Sequence, residues 1–299
     1  MKMGDLFFTV YRATVRMAIP VLLASIGGLI TYYAGIMNVA MEGLMLSGAF
    51  AGVVFSYMYS SALMGIVGAV ITAVIFSLLY SLFVTTLRAN NFAIGFALNI
   101  FISSLTLYLT RVMFRGQNAF NSPNIRAIPH LSIDLRSQVL NNLFMNFDLL
   151  VYISIALVFI IYYFIFKTPF GLWLRAAGSR PDALTTAGIH VSIIQYSSSI
   201  LCGIFCGLAG AQLSLSNVVM FSKDMSGGRG FVALAVVLIA RGKPSIVLIL
   251  SLLFGLFDAL SIQLQSAHVP SQFPLMLPYI MTIVSLIVVT FVQERKSIH

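Results

Sequence analysis

Charged residues are scarce in this sequence. Only 8% of the 299 residues are Asp, Glu, Lys or Arg, whereas 60% are hydrophobic. A soluble domain carries roughly a quarter charged residues, so this composition excludes a chain that covers itself with a water-compatible surface. The apolar residues form repeated stretches of near membrane-spanning length. The sequence therefore predicts an integral membrane protein.

Cysteine and histidine are also rare, and their spacing fits no metal or disulfide framework. Cys202 and Cys206 lie four residues apart in an apolar stretch, which favours small packing residues on one helix face. The four histidines lie in or near loops without ligand spacing. Sequence motifs of P-loops, zinc proteases and serine hydrolases are missing. We therefore expect no bound metal or cofactor and no ATP hydrolysis by this chain, with an intramembrane enzyme as an alternative.

Apolar segments recur along the whole chain. Between them lie two long polar stretches, 111–147 and 167–192. This pattern predicts one all-α domain over 1–299, a polytopic transmembrane bundle with about eight to ten membrane segments, one or two of them broken or re-entrant. The segments are 17–35, 37–60, 62–86, 92–110, 148–166, 193–215, 231–240, 245–265 and 274–292. In segment 193–215 small residues recur every four positions, a stripe that predicts close packing against another helix; they are Ser199, Gly203, Gly207 and Ala211.

Basic residues indicate the orientation in the membrane. The net charge of +9 is scattered over connections rather than gathered in a stripe, so we expect the positive-inside rule and no nucleic-acid partner. Most basic residues lie on the cytoplasmic side if three parts of the chain are placed there: the N-terminus with Arg12 and Arg16, the 167–192 loop and the C-terminus. The 111–147 loop is then extracytoplasmic. This arrangement requires that one of the first three segments does not fully cross the membrane, and 37–60 is the candidate because polar groups and glycines interrupt it.

Two segments are interrupted or short. The first, 37–60, begins with Asn38 and Glu42 and contains several glycines. The second, 231–240, is too short to span about 30 Å and follows the glycine-rich stretch 226–230. Non-helical backbone at membrane depth needs a protein or cavity lining, and paired interruptions are typical of a transport site. The alternative is two tilted, loosely packed helices.

Polar groups inside the apolar segments are candidate solute contacts. Glu42 and Asp258 are the acidic groups clearly inside them, and each either faces the pathway or caps or pairs locally. Amides and aromatic faces suit a neutral polar solute, although Asn side chains also stabilise helix contacts. The predicted solute pathway consists of Asn38, Glu42, Asn91, Phe96, Asn99 and Phe231.

The 167–192 stretch predicts a short cytoplasmic helix. Pro181 can start this helix, with Ser179 or Arg180 as its cap, and Gly188 can end it. A short helix in a cytoplasmic loop presents a compact knob to a soluble partner.

This loop resembles that of importer permeases for branched-chain amino acids, simple sugars and nucleosides. The matching residues are Thr168, Phe170, Gly171, Arg175, Ala176, Gly178, Pro181, Ala183, Gly188 and Ile189. Stretches 35–43, 89–99, 230–241 and 254–260 resemble the sugar and nucleoside branch, so the resemblance covers about residues 20–265. The sequence departs from the family at Ala240, often glycine there, and at Asn91, usually β-branched.

The resemblance implies a permease subunit of an ATP-binding-cassette importer in the bacterial cytoplasmic membrane. It also implies a second permease subunit, identical or different, cytoplasmic ATPase subunits that hold ATP and Mg²⁺, and an extracytoplasmic solute-binding protein. The coupling helix to the ATPase would involve Arg175, Gly178, Pro181, Ala183 and Gly188. The alternative is a self-sufficient secondary transporter or channel, which would need its own site for a coupling ion.

Overall fold

The computed structural model describes residues 3–114, 117–129 and 147–266, together with residue 280. Within these ranges ten α-helices and two short strands follow one another. The strands β1 (Ala119–Phe120) and β2 (Phe221–Ser222) pair antiparallel. The helices are α1 (Met3–Tyr33), α2 (Met41–Tyr59), α3 (Ala62–Ser81), α4 (Asn91–Met113), α5 (Leu149–Lys167), α6 (Pro169–Ser179), α7 (Pro181–Thr186), α8 (Val191–Ala211), α9 (Arg229–Ala240) and α10 (Pro244–Ser266).

Seven of the described helices are long and apolar enough to cross a membrane, namely α1 to α5, α8 and α10. Helix α9 has 12 residues, or about 18 Å of axial length, and is too short to span alone. The predicted all-α polytopic bundle is therefore confirmed. The predicted segment 274–292, apart from residue 280, and much of the 111–147 loop lie outside the described residues.

Helices α1 and α2 lie at the centre of the bundle. In their most apolar 18-residue stretches 83% and 78% of the residues are buried, against 28% in each of α3 and α4. Because α3 and α4 are at least as apolar as α2, their exposed faces are suited to lipid or to another membrane subunit. The arrangement separates a packed interior from an apolar periphery.

Helix α8 packs closely against α2 and α3 through the predicted stripe of small residues. A Cβ atom at Gly207 would lie 2.7 Å from Cα of Val70, and one at Gly48 would lie 2.9 Å from Cα of Gly207. Such distances are shorter than carbon atoms tolerate, so glycine permits these helix contacts. The thiols of Cys202 and Cys206 are buried beside this interface with their sulfur atoms 3.9 Å apart, as packing residues.

The end of α1 and the 167–192 loop lie at the same end of the bundle. The Tyr33 ring meets the edge of Phe166, the penultimate residue of α5, with ring centroids 6.1 Å apart. The backbone of Gly178 in α6 lies against the Tyr33 carbonyl oxygen. This end is called the loop end below.

Helix α1 starts at the opposite end of the bundle and finishes at the loop end, and this corrects the expected orientation. Its Tyr11 contacts Phe147, which precedes α5, at 6.4 Å between ring centroids. Arg12 and Arg16 therefore lie toward the end of the bundle opposite the 167–192 loop. The expectation that they share the cytoplasmic side with that loop is wrong, because the segment that follows α1 does cross the bundle.

The first broken segment consists of the non-helical residues 34–40 and helix α2. Gly35 turns the chain back into the bundle with a φ of +80°, and Asn38 reaches the level of Cys202 in α8. Helix α2 continues to the far end, where the Ser56 hydroxyl donates to the carbonyl of Arg126. The predicted interruption is confirmed, but the expectation that this segment does not fully cross is wrong.

The second broken segment consists of residues 218–228 and helix α9. Strand β2 within it pairs with β1 at the far end, and Asp224 accepts a hydrogen bond from Ser103 on the surface. Helix α9 begins at the depth of Glu42 and ends beside Tyr33 at the loop end, where Gly242 has a φ of +85°. The two broken segments thus meet inside the bundle at the first turns of α2 and α9.

Candidate functional site

Glu42 joins the first turns of α2 and α9. Its Oε1 accepts a hydrogen bond from the backbone N–H of Gly228 at 2.8 Å, and its Oε2 accepts one from Gly230 at 2.6 Å. A Cβ atom at Gly230 would lie 2.4 Å from Cα of Glu42, so only glycine allows this approach. A carboxylate at a helix N-terminus is stabilised by the unpaired N–H groups and the helix dipole. Of the two roles considered for Glu42, capping of a broken helix is the one seen here.

Asn38 and Asn99 hold the start of α2 in place. Asn38 is 1% exposed, with its amide nitrogen 3.3 Å from the Cys202 sulfur and its Oδ1 accepting from the Ala40 N–H at 3.0 Å. Asn99 on α4 accepts from the Gly43 N–H at 2.8 Å and donates to the Val39 carbonyl at 2.9 Å. Both amides therefore satisfy backbone groups that the break in the helix leaves without partners.

Phe96 and Phe231 form an open aromatic surface beside this junction. Their rings are stacked with centroids 5.9 Å apart and an interplanar angle of 29°, and the two residues are 49% and 38% exposed. Asn91 lies half-buried at the first position of α4, five residues before Phe96. Of the predicted pathway residues, the structure thus brings Asn38, Asn99 and Glu42 together around the start of α2 and sets the aromatic pair at its surface.

Asp258 has a partner that the sequence did not reveal. Its Oδ2 lies 3.1 Å from Nη2 of Arg229, the first residue of α9, and the two side chains are 18% and 23% exposed. Arg229 Nη1 also donates to the Ser226 carbonyl at 3.3 Å. The two residues are far apart in the chain, and charge patterning alone gives no signal for such a pair. The pairing agrees with the structural interpretation of Asp258.

A fully buried carboxylate, Asp148, lies at the far end of the bundle. It is 1% exposed and accepts hydrogen bonds from the Gln212 amide and the Ser216 hydroxyl. Both donors belong to a π-helical turn, Gln212–Asn217, that continues α8. Sequence reasoning missed Asp148 because it stands at the boundary between the polar loop and an apolar segment. π-Turns within helices are frequent at functional sites.

A cavity of about 200 Å³ adjoins this π-turn and the start of α9. Met17, Asn217 and Arg229 are among the residues that line it. The Asn217 Oδ1 and Arg229 Nε atoms are buried and have no hydrogen-bond partner among the described residues. Two of the residues that line the cavity thus carry a buried polar atom, one an acceptor and one a donor, that is unsatisfied within the described part of the chain.

The 167–192 loop contains the predicted short helix. Helix α7 starts at Pro181 with Arg180 at its cap, and the left-handed Gly188, with a φ of +80°, follows its end. Its Leu184 is buried, whereas Ala183 and the neighbouring threonines and alanine are exposed. The start and end of the helix are therefore confirmed, and its small side chains form an exposed knob.

Helix α6 connects this knob to the bundle. Thr168 caps α6 by accepting a hydrogen bond from the Gly171 N–H at 3.2 Å. The Arg175 guanidinium lies 5.3 Å from the Phe166 ring centroid, and its Nε donates to the Gly171 carbonyl at 3.3 Å. A Cβ atom at Gly178 would lie 2.3 Å from the Tyr33 carbonyl oxygen, so α6 contacts the end of α1 through backbone atoms.

A family model described as the permease component of branched-chain amino acid transport systems matches residues 11–288, which include both broken segments and the loop. The chain belongs to this permease family. The resemblance carried by the loop motif is thereby confirmed. No solved structure matches the chain closely.

Three relatives resemble the chain over most of its length. It is 30% identical to the guanosine ABC transporter permease protein NupQ of Bacillus subtilis, over 96% of this chain and 93% of that protein. It is 33% identical to the nucleoside ABC transporter permease protein NupC of Lactococcus lactis, over 89% and 87%. It is 29% identical to the putative glucose ABC transporter permease protein TsgC13 of Haloferax volcanii, over 85% and 77%.

Proposed function

We propose that this membrane-spanning permease translocates nucleosides as one subunit of an ATP-binding-cassette importer. The observation that carries the proposal is the meeting of two broken membrane segments at Glu42, with their first turns held by side chains and an open aromatic pair beside them. Discontinuous helices of this kind are typical of substrate pathways in transporters. Similarity to guanosine and nucleoside permeases supports the solute class.

The charges around the junction favour a neutral solute. Glu42 is bound by two backbone N–H groups of the α9 turn, and Arg229 is paired with Asp258. An anionic or cationic solute would have to compete with these internal partners, whereas a neutral one would not. The same pairing disfavours a gradient-driven carrier, which needs an ionisable site free to bind a coupling ion. The importer function is therefore preferred to the secondary transporter or channel.

The aromatic pair favours a nucleoside over a simple sugar. Phe96 and Phe231 leave aromatic surface exposed on which a planar base could stack, a contact worth about 1–3 kcal/mol per base. The cavity beside Asn217 and Arg229 is lined in part by polar side chains, of the kinds that can hydrogen-bond to base edges or ribose hydroxyls. A simple sugar is the second candidate, supported by the similarity to a putative glucose permease.

Partner subunits would supply the energy and the specificity. The sequence has no P-loop, so ATP and Mg²⁺ would bind to cytoplasmic ATPase subunits that enclose the knob of α7. The exposed apolar faces of α3 and α4 provide surfaces for a second permease subunit as well as for lipid. A binding protein on the outer face of a bacterial cytoplasmic membrane would deliver the solute to the end that holds β1 and β2.

The solute class is tested by uptake into proteoliposomes that contain this chain with its ATPase, second permease and binding protein. Labelled guanosine, uridine, ribose and glucose are supplied with ATP inside the liposomes. We expect ATP-dependent accumulation of the nucleosides and little of the sugars. Accumulation of ribose or glucose alone would contradict the nucleoside assignment and favour the sugar candidate.

A further inference from the structure

Tyr33, the last residue of α1, contacts three separate parts of the protein at the loop end. Its hydroxyl donates to the Gly242 carbonyl in the turn between α9 and α10 at 2.5 Å. Its ring meets the Phe166 ring at the end of α5 edge-on, with an interplanar angle of 90°. Its carbonyl oxygen lies against Gly178 of α6, where no Cβ atom would fit. One residue thus holds both the 167–192 loop, which would face the ATPase, and the second broken segment.

The two broken segments form a closed ring of contacts between Tyr33 and Glu42. From Tyr33, the chain runs through residues 34–40 to Glu42. From Gly242, helix α9 runs back about 18 Å to Gly230, whose N–H is bound by the Glu42 carboxylate. The bonds from Tyr33 to Gly242 and from Glu42 to Gly230 therefore close the ring at its two ends.

This ring has two points where its backbone turns sharply. Gly35 has a φ of +80° and Gly242 a φ of +85°, and both lie within reach of Tyr33. Positive φ values are readily adopted by glycine, so these positions tolerate rotation that other residues resist. Between them α9 is a continuous helix that moves as a rigid body. A shift at the loop end can therefore reach the junction without being lost in side-chain rearrangement.

We infer that Tyr33 is the positioning residue that makes both broken segments follow the ATPase-facing loop together. The inference rests on the proposed importer function. A displacement of α6 acts on the Tyr33 carbonyl oxygen and on the Gly35 nitrogen, because no gap separates these atoms from Gly178. A Cβ atom at Gly178 would lie 2.3 Å from that oxygen and 2.8 Å from that nitrogen. The Tyr33 hydroxyl then passes the same displacement to Gly242 and along α9. Without that hydrogen bond, the loop would still move residues 34–40 but would no longer drive α9.

The variant Tyr33→Phe tests this directly, because it keeps the ring contact with Phe166 and removes only the bond to Gly242. In the complete complex we expect guanosine uptake to fall about fivefold, the effect of one lost hydrogen bond. ATP hydrolysis should stay within about twofold of the original rate. The number of guanosine molecules imported per ATP therefore falls, which a purely structural role of Tyr33 would not cause.

The matched control is Tyr32→Phe, since the Tyr32 hydroxyl makes no hydrogen bond with the described residues. It should leave both uptake and the ratio of guanosine to ATP unchanged, and both variants should assemble and melt like the original complex. An unchanged ratio in Tyr33→Phe, in a complex that transports guanosine normally, overturns the inference and leaves the proposed function intact. A complex that imports no solute of the panel before any substitution overturns both.

Discussion

The carboxylate of Glu42 is expected to hold α9 in its place, and its replacement has a calculable cost. The two bonds to Gly228 and Gly230, at 2.8 Å and 2.6 Å, join a charged acceptor to backbone donors. Hydrogen bonds to charged groups contribute about 1.5–3 kcal/mol each. Glu42→Ala would remove both and leave two inward-facing N–H groups, so we expect α9 to be held less firmly by about 3–6 kcal/mol. Glu42→Gln retains one acceptor and should lose about half of that.

These losses should be visible in transport and in thermal stability. Since 1.4 kcal/mol corresponds to a factor of ten, we expect uptake by Glu42→Gln to fall about tenfold or more, and uptake by Glu42→Ala to fall further. Thermal unfolding of the purified subunit in detergent should shift downward in the same order. The matched control is Asp224→Asn, which removes the same charge from a side chain that is 56% exposed and bonded to Ser103. If both Glu42 variants take up solute and melt as Asp224→Asn does, the Glu42 carboxylate does not hold α9 in place.

Three further predictions follow from the loop, the ends of the bundle and the aromatic pair. Ala183→Arg places a bulky charge on the exposed knob and should abolish solute-stimulated ATPase activity in an assembled complex. If the loop only faced solvent, the same substitution would change the free energy of unfolding by no more than about 0.5 kcal/mol and leave this activity intact. Single cysteines are introduced at Asn124 or at Ser179 in a background without native cysteines, and intact cells are treated with a membrane-impermeant thiol reagent. The cysteine at 124 should react and the one at 179 should not, whereas the reverse pattern would invert the topology. Phe231→Ala or Phe96→Ala should lower guanosine uptake about tenfold through lost stacking and change any ribose uptake less, and equal losses for both solutes would argue against a base contact.

Local patterns predicted those parts of the fold that depend on neighbouring residues. Apolar runs located the spanning helices, and Pro181 and Gly188 marked the limits of α7, because proline and glycine act on their own backbone. The small-residue stripe around Gly207 also predicted a close helix contact correctly. The clustered glycines of 226–230 indicated the second break before α9.

Contacts between distant parts of the chain could not be predicted in the same way. The pairing of Arg229 with Asp258 and the binding of Glu42 to the α9 turn depend on how helices cross, which no local pattern records. The orientation of α1 was mispredicted for a related reason. The interruptions in 37–60 favour a segment that does not fully cross, whereas the non-helical residues 34–40 lead into α2, which completes the crossing.

The importer function requires that solute uptake depends on ATP hydrolysis by a partner subunit. Proteoliposomes containing the full complex are compared with a matched complex whose ATPase carries an inactivating substitution of its P-loop lysine, in the presence and absence of proton and sodium gradients. An importer permease predicts guanosine accumulation only with the active ATPase, whatever the gradients. Accumulation driven by a gradient with the inactive ATPase, or by this chain reconstituted alone, would contradict the importer function.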